Sequence, residues 1–146
     1  MSKFSPVIVT IEELVKWSSE GMLSFSDRYQ RTINVKEDEK INIVEGVINA
    51  GVLLNSVLLC KYVDESSQIT KYEVVQAQQQ IKAILDFIIY EKFSICTLGN
   101  REAKKFSEFS QTMQDEIMQC KITAIIVEGE SEEVIEEIFS KINSPL

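Results

Sequence analysis

Between Lys71 and Tyr90 the apolar pattern changes its period, and no other stretch of the 146 residues constrains the fold as much. Lys71-Tyr72-Glu73-Val74-Val75 reads as a short strand. From Ala77 to Tyr90 the apolar residues Ala77, Ile81, Ile84, Leu85 and Ile88 recur at helical spacing, with Phe87 and Ile89 widening the face. A strand that runs directly into a helix brings free backbone N–H groups and the positive end of the helix dipole to one point, a geometry that suits an anion. The junction itself, Gln76-Ala77-Gln78-Gln79-Gln80, carries no charge.

The flanking segments predict a mixture of strands and helices. Val7-Ile8-Val9 reads as a short strand or extended lead-in, and Thr10-Ile11-Glu12-Glu13 has the capping-box pattern before a helix that ends near Gly21. Leu23 to Ser26 alternates like a half-exposed strand and leads to Asp27-Arg28-Tyr29-Gln30-Arg31. There the two arginines are surface charges beside a packed ring or phosphate forks, with local sequence favouring the former. A helix is predicted over 38–50, stopped at Gly51, and Ser56 to Tyr62 reads as a buried strand forming a hairpin with the Lys71 strand. After a turn at Leu98-Gly99-Asn100 come the basic Arg101, Lys104 and Lys105, a helix through Phe106, Phe109, Met113 and Ile117, a strand over 121–127 and a last helix over 132–142.

Strands and helices in this mixed order predict one α+β domain over 1–146, with a small mixed sheet and packed helices. No apolar run reaches the length of a membrane span and the start lacks a signal-peptide core, so the expectation is a cytoplasmic chain with no membrane partner. Histidine is absent, which excludes Ser-His and Cys-His nucleophile pairs and the usual zinc sites from this chain. Cys60, Cys96 and Cys120 have no paired spacing and read as buried, reduced thiols. A net charge of -8 argues against a free-standing binder of nucleic acid backbone. The glutamates at 128, 130, 132, 133, 136 and 137 read as a solvated helix face, with a DNA-mimicking surface as the sharper alternative.

The ordered set of pieces resembles the N-terminal domain of GmrSD-type restriction proteins, which have a ParB/sulfiredoxin-like fold. The resemblance is carried by Ile11-Glu12-Glu13-Leu14, Tyr29-Gln30-Arg31, the helix from Ile43 to Ile48 and Tyr72-Glu73-Val74-Val75 running into the glutamines and Ile84-Leu85-Asp86-Phe87. Glu137 to Asn143 adds a Phe-x-x-Ile-Asn ending. It covers nearly the whole chain. It implies nucleoside triphosphate binding with magnesium, hydrolysis coupled to restriction of phage DNA, and a separate nuclease region that cuts.

The family's motif at the strand-to-helix turn is Asp-Gly-Gln-Gln-Arg; here the positions read Gln76, Ala77, Gln78, Gln79 and Gln80, so only Gln78 and Gln79 match. Loss of acid and base together avoids the unpaired buried charge that losing one would leave, a penalty of roughly several kcal/mol. Candidate anion or nucleotide contacts are thus Arg28, Tyr29, Gln30, Arg31 and Gln76 to Gln80, with no catalytic and no metal-binding residue named. Three readings follow. The chain is a binding or regulatory module in phage–host conflict without efficient hydrolysis, a hydrolase whose carboxylate has moved to Glu73 or Asp86, or a phage- or mobile-element-encoded inhibitor or decoy. The partners expected are a protein or the remainder of a larger restriction protein, DNA only through such a partner, or a second copy of the chain.

Overall fold

The computed structural model describes residues 3–26, 35–51, 57–129 and 131–142. Its centre is a five-stranded mixed sheet in the order β1-β7-β3-β4-β2. The strands are β1 (Lys3–Thr10), β2 (Leu23–Ser24), β3 (Val57–Val63), β4 (Thr70–Gln76) and β7 (Lys121–Glu128). β1 pairs antiparallel with β7, β7 parallel with β3, β3 antiparallel with β4, and β4 parallel with β2. The α+β class and the small mixed sheet are those expected.

Alternation along the strands divides the apolar side chains between two faces. Val9, Leu59, Val74, Ile122 and Ala124 join the larger buried cluster together with residues of α1 (Ile11–Ser19), α2 (Glu37–Ala50), α3 (Gln78–Ile88) and α4 (Gln111–Met118). Leu58, Val75 and Val127 form a smaller cluster with Ile135 of α5 (Glu132–Ile142), packed by Cys60, Ile138 and Phe139. The sheet is therefore covered by helices on both faces.

Local chemistry accounts for several boundaries. The Thr10 hydroxyl accepts from the Glu13 N–H at 3.1 Å and the Glu13 carboxylate accepts from the Thr10 N–H, so the capping box that opens α1 is real. Gly51 caps α2 at φ 65, a left-handed conformation that costs glycine nothing. Asp64 anchors the β3–β4 turn by accepting from the hydroxyls of Ser66 and Ser67, at 3.1 and 2.9 Å.

Some expectations need correction. The opening strand spans eight residues, since β7 pairs with all of Lys3 to Thr10; the short apolar run Val7-Ile8-Val9 understated it because Pro6 sits at the sheet's edge. The strand predicted over 23–26 has only two paired residues. A second, two-stranded sheet was not foreseen: β5 (Ile95–Thr97) and β6 (Asn100–Lys104) form a hairpin about Gly99, placing Arg101 and Lys104 on a strand. The helix expected from Phe106 splits into a single 3-10 turn, Phe106–Glu108, and α4, because Ser110 caps α4 by accepting from the Met113 N–H. The three thiols are half-buried rather than buried, and all are free.

Candidate functional site

β4 ends at Gln76 and α3 begins at Gln78, so a single residue turns strand into helix. That residue, Ala77, adopts φ 74 and ψ 32. A left-handed conformation at a residue bearing a Cβ costs about 1–2 kcal/mol. Glycine would hold it without strain, so the backbone keeps a glycine-type turn although the side chain is a methyl group. The Ala77 carbonyl accepts the first helical hydrogen bond, from the Ile81 N–H at 3.1 Å. Ala77 gives α3 no side-chain cap, and the first turn of the helix holds no acidic residue. The first N–H groups of α3 thus stand at this strand-to-helix notch, at the dipole's positive end, with no carboxylate in the helix's own first turn.

Around this turn lie three buried glutamines: Gln76, Gln78 and Gln80 are each 4–7% exposed. The side-chain amide of Gln78 donates to the Val74 carbonyl at 2.9 Å and to the Ser26 carbonyl at 3.0 Å. It thereby ties the exit of β2 to the end of β4 and the start of α3. Its own carbonyl oxygen, Oε1, is buried without a hydrogen-bond partner. An orphaned buried acceptor of this kind costs about 1–3 kcal/mol unless a donor reaches it.

The five candidate residues of the junction thus span the end of β4, the turn and the first turn of α3. Arg28, Tyr29, Gln30 and Arg31 lie outside the described residues. Of the two carboxylates considered as relocated catalytic groups, neither faces the notch. Glu73 pairs across the sheet with Cys60, whose side chain packs with the smaller cluster, so Glu73 lies on the α5 side rather than the α3 side. Burial, and then the Glu73 charge, push the Cys60 thiol above its ordinary pKa. Asp86, two turns along α3, binds Lys40 at 3.3 Å and Lys92 at 3.4 Å.

Magnesium is held in protein sites by one or two carboxylates with phosphates and waters, and the junction offers only neutral amides. The residues of the junction do not fit that ion. Among the described residues no group of three or more Cys, Asp or Glu side chains is disposed to hold a metal. A separate cleft of about 320 Å3 lies beside α1 and α4. Its carboxylates are already engaged, Glu12 by Gln119 at 2.6 Å and Asp115 by Gln111 at 2.8 Å.

One cation near the notch escaped the sequence reading. The Lys82 ammonium rests 5.1 Å from the centroid of the Phe25 ring, immediately before the Ser26 carbonyl that Gln78 holds. The signal was available: Lys82 follows Gln78 by four residues, the spacing that puts two side chains on one helix face.

Comparison with family models and with curated proteins finds no match. Among solved structures the chain is similar to the C-terminally truncated chromosome-partitioning protein ParB from Caulobacter crescentus, complexed with CTP-gamma-S. The two are 14% identical with a TM-score of 0.46, and the alignment covers 97% of this chain. It spans 56% of that ParB chain, so the present chain accounts for little more than half of its length. No helix of the described residues is long and apolar enough to cross a membrane.

Proposed function

We propose that residues 1–146 form one ParB/sulfiredoxin-like domain of the GmrSD type that binds a phosphate-bearing ligand, a nucleoside triphosphate, without hydrolysing it efficiently. The observation that carries this reading is the turn at Ala77. A left-handed residue, a helix start that Ala77 does not cap and three buried, neutral glutamines make a strand-to-helix turn of the kind at which backbone can approach phosphate. Chemistry at phosphate needs more than a place. Developing charge must be neutralised and a nucleophile oriented, and glutamine amides do neither well. Loss of a phosphate-pairing base and of an ion-holding acid each removes about 2 kcal/mol or more of stabilisation.

Under this reading the chain is a binding or regulatory module in phage restriction, working with a protein partner, with the rest of a larger restriction protein or with a second copy. DNA would be reached through that partner. Arg28 and Arg31 are proposed as further phosphate contacts, with Tyr29 and Gln30 beside them. The competing picture of a relocated active centre is disfavoured by Asp86, whose two lysine partners already occupy its carboxylate.

Calorimetric titration with each of the four common nucleoside triphosphates, with and without magnesium, tests the proposal alongside a phosphate-release assay. Binding without magnesium dependence and without release above the uncatalysed rate is expected. Magnesium-dependent turnover abolished by Arg31→Ala would overturn it.

A further inference from the structure

The two faces of the main sheet are covered unequally. α1, α2, α3 and α4 all contribute to the cluster on one face, whereas α5 supplies the helical residues of the smaller cluster on the other. Neighbouring strands lie about 4.8 Å apart and a helix with its side chains is about 10 Å across, so one helix covers roughly two strands. The strand residues in that smaller cluster are Leu58 and Cys60 of β3, Val75 of β4 and Val127 of β7. Among the described residues, β1, the outermost strand, contributes nothing to it.

What β1 presents on that face is apolar. Phe4 pairs with Val127, Pro6 with Ile125 and Ile8 with Thr123, so strand alternation sets Phe4, Pro6 and Ile8 on the α5 side of the sheet. Phe4 is 50% exposed, Ile8 63% and Ile125 39%. Ile125 also pairs with the buried Leu58. The exposed strip is thus continuous with the smaller core, which runs on past α5 to the edge of the sheet. Single apolar residues on a surface need no explanation, but a row joined to a core does.

Three features choose the occupant. The strip is two strands wide, β1 and β7, which is the width of one helix. Pro6 has no N–H to give to a further strand along the open edge of β1, which disfavours an added strand from an extended peptide or a second copy. Charge disfavours a second copy packed face to face. α5 exposes Glu133, Glu136 and Glu137 on this side, its Lys141 is bound to Glu137 at 3.3 Å, and the chain as a whole carries -8. Lys121, at the start of β7, is the one cation along the strip among the described residues. A second copy would bring like charges together, whereas lysine and arginine would be drawn in.

We infer that this strip is a docking site for an amphipathic helix of a partner protein, with its apolar stripe on Phe4, Ile8 and Ile125 and with basic flanks. The inference goes beyond the nucleotide reading and does not depend on it, since α3 packs on the opposite face of the sheet. The docked helix completes the layer that α5 begins.

The test uses a synthetic leucine–lysine peptide with leucines at i, i+3, i+4 and i+7, a scrambled peptide of the same composition, and a leucine–glutamate peptide with the same stripe. Binding to the full chain is followed by fluorescence anisotropy of the labelled peptide, and helix formation by circular dichroism. The striped lysine peptide should bind, gain helicity and weaken as salt is raised, while the two control peptides should not bind. Phe4→Ser combined with Ile8→Ser should weaken binding about tenfold or more. Ile8→Ser alone, at a position too exposed to hold the fold, should weaken it about threefold with an unchanged thermal midpoint. Leu98→Ser, at the 79% exposed tip of the β5–β6 hairpin, should bind as wild type does. No binding, equal binding of either control peptide, indifference to both Ile8 variants or loss of binding in Leu98→Ser would overturn the inference. So would a bound peptide that gains no helicity. A wild-type dimer in sedimentation that Ile8→Ser converts to monomer would give the strip to a second copy, and would overturn it too.

Discussion

The side-chain amide of Gln78 donates to the backbone carbonyl of Val74, four residues earlier in the chain, at 2.9 Å. The bond crosses the turn at Ala77 and closes it like a clasp, because its two ends lie on opposite sides of that left-handed residue. The turn therefore forms without a glycine. A buried hydrogen bond and the packing of α3 hold a conformation that alanine resists.

That balance predicts an asymmetry at position 77. Ala77→Gly relieves about 1–2 kcal/mol of backbone strain but gives up a buried methyl worth about 0.8 kcal/mol and loosens the unfolded chain. The variant should fold at least nearly as well as wild type. Ala77→Val adds a β-branched side chain at positive φ, and should lose about 2 kcal/mol or more. Urea unfolding followed by the fluorescence of the chain's single tryptophan, Trp17, measures both. Trp17 stacks on Tyr72 with centroids 4.2 Å apart, so its emission reports the docking of α1 on β4.

A carboxylate at position 78 is the harsher change. Gln78→Glu replaces an amide that donates to two carbonyls with an anion that faces them, in a site 5% exposed. The expected loss is about 3 kcal/mol near neutral pH. Burial raises the pKa of the new carboxyl above its unfolded value. The deficit should therefore be smallest below the unfolded pKa, where the group is protonated in both states, and grow as pH rises through the folded value. A stability difference between Gln78→Glu and wild type that does not change with pH would contradict the assignment of the amide to those two carbonyls.

Much of this arrangement was legible in the residues themselves, and the unreadable parts have physical causes. The period change at Val75 to Ile81 located the strand-to-helix turn because two faces of burial impose different periods on one stretch. Thr10 and Glu13 announced α1 because capping is local chemistry. The β5–β6 hairpin was missed because its short strands gain their support from a distance. The Glu45 carboxylate accepts from the Cys96 N–H at 2.7 Å, and Asn49 clasps the Cys96 carbonyl and the Leu98 N–H at 3.1 and 3.2 Å. Side chains of α2 satisfy that backbone, and their sequence separation leaves no local trace. At the junction, the stretch Gln76 to Gln80 was located by the change of period, whereas the Phe25 ring beside Lys82 is brought there only by the fold.

Acid should act on the β3–β4 turn through Asp64. Hydrogen bonds from Ser67 and Ser66, aided by Lys71, hold its carboxyl below the usual range. A depressed folded pKa contributes stability that is present above the unfolded value and is lost as pH falls through the folded one. Asp64→Asn should remove that part of the acid dependence while leaving the stability of the variant nearly flat over the same window. Thermal midpoints of both proteins between about pH 5 and pH 2 check it, the window being set by the ordinary aspartate pKa and the downward direction of the shift.

Asp86 separates structure from catalysis most sharply. Its side chain is 14% exposed and lies between the ammonium groups of Lys40 and Lys92, so one carboxylate ties α2 to α3 and to the chain that follows α3. Asp86→Asn keeps the shape and removes the charge, leaving two lysines facing a neutral amide. Exposed ion pairs contribute little, but this acid serves two partners at a half-buried helix contact, and a loss of about 1–2 kcal/mol is expected. Because the group stands two turns from Ala77, nucleotide affinity should be unchanged once the protein is folded. Stability measured by urea unfolding and affinity measured by titration should thus move independently. If Asp86→Asn instead left stability intact and abolished a metal-dependent activity, the carboxylate would belong to a working centre and not to the framework.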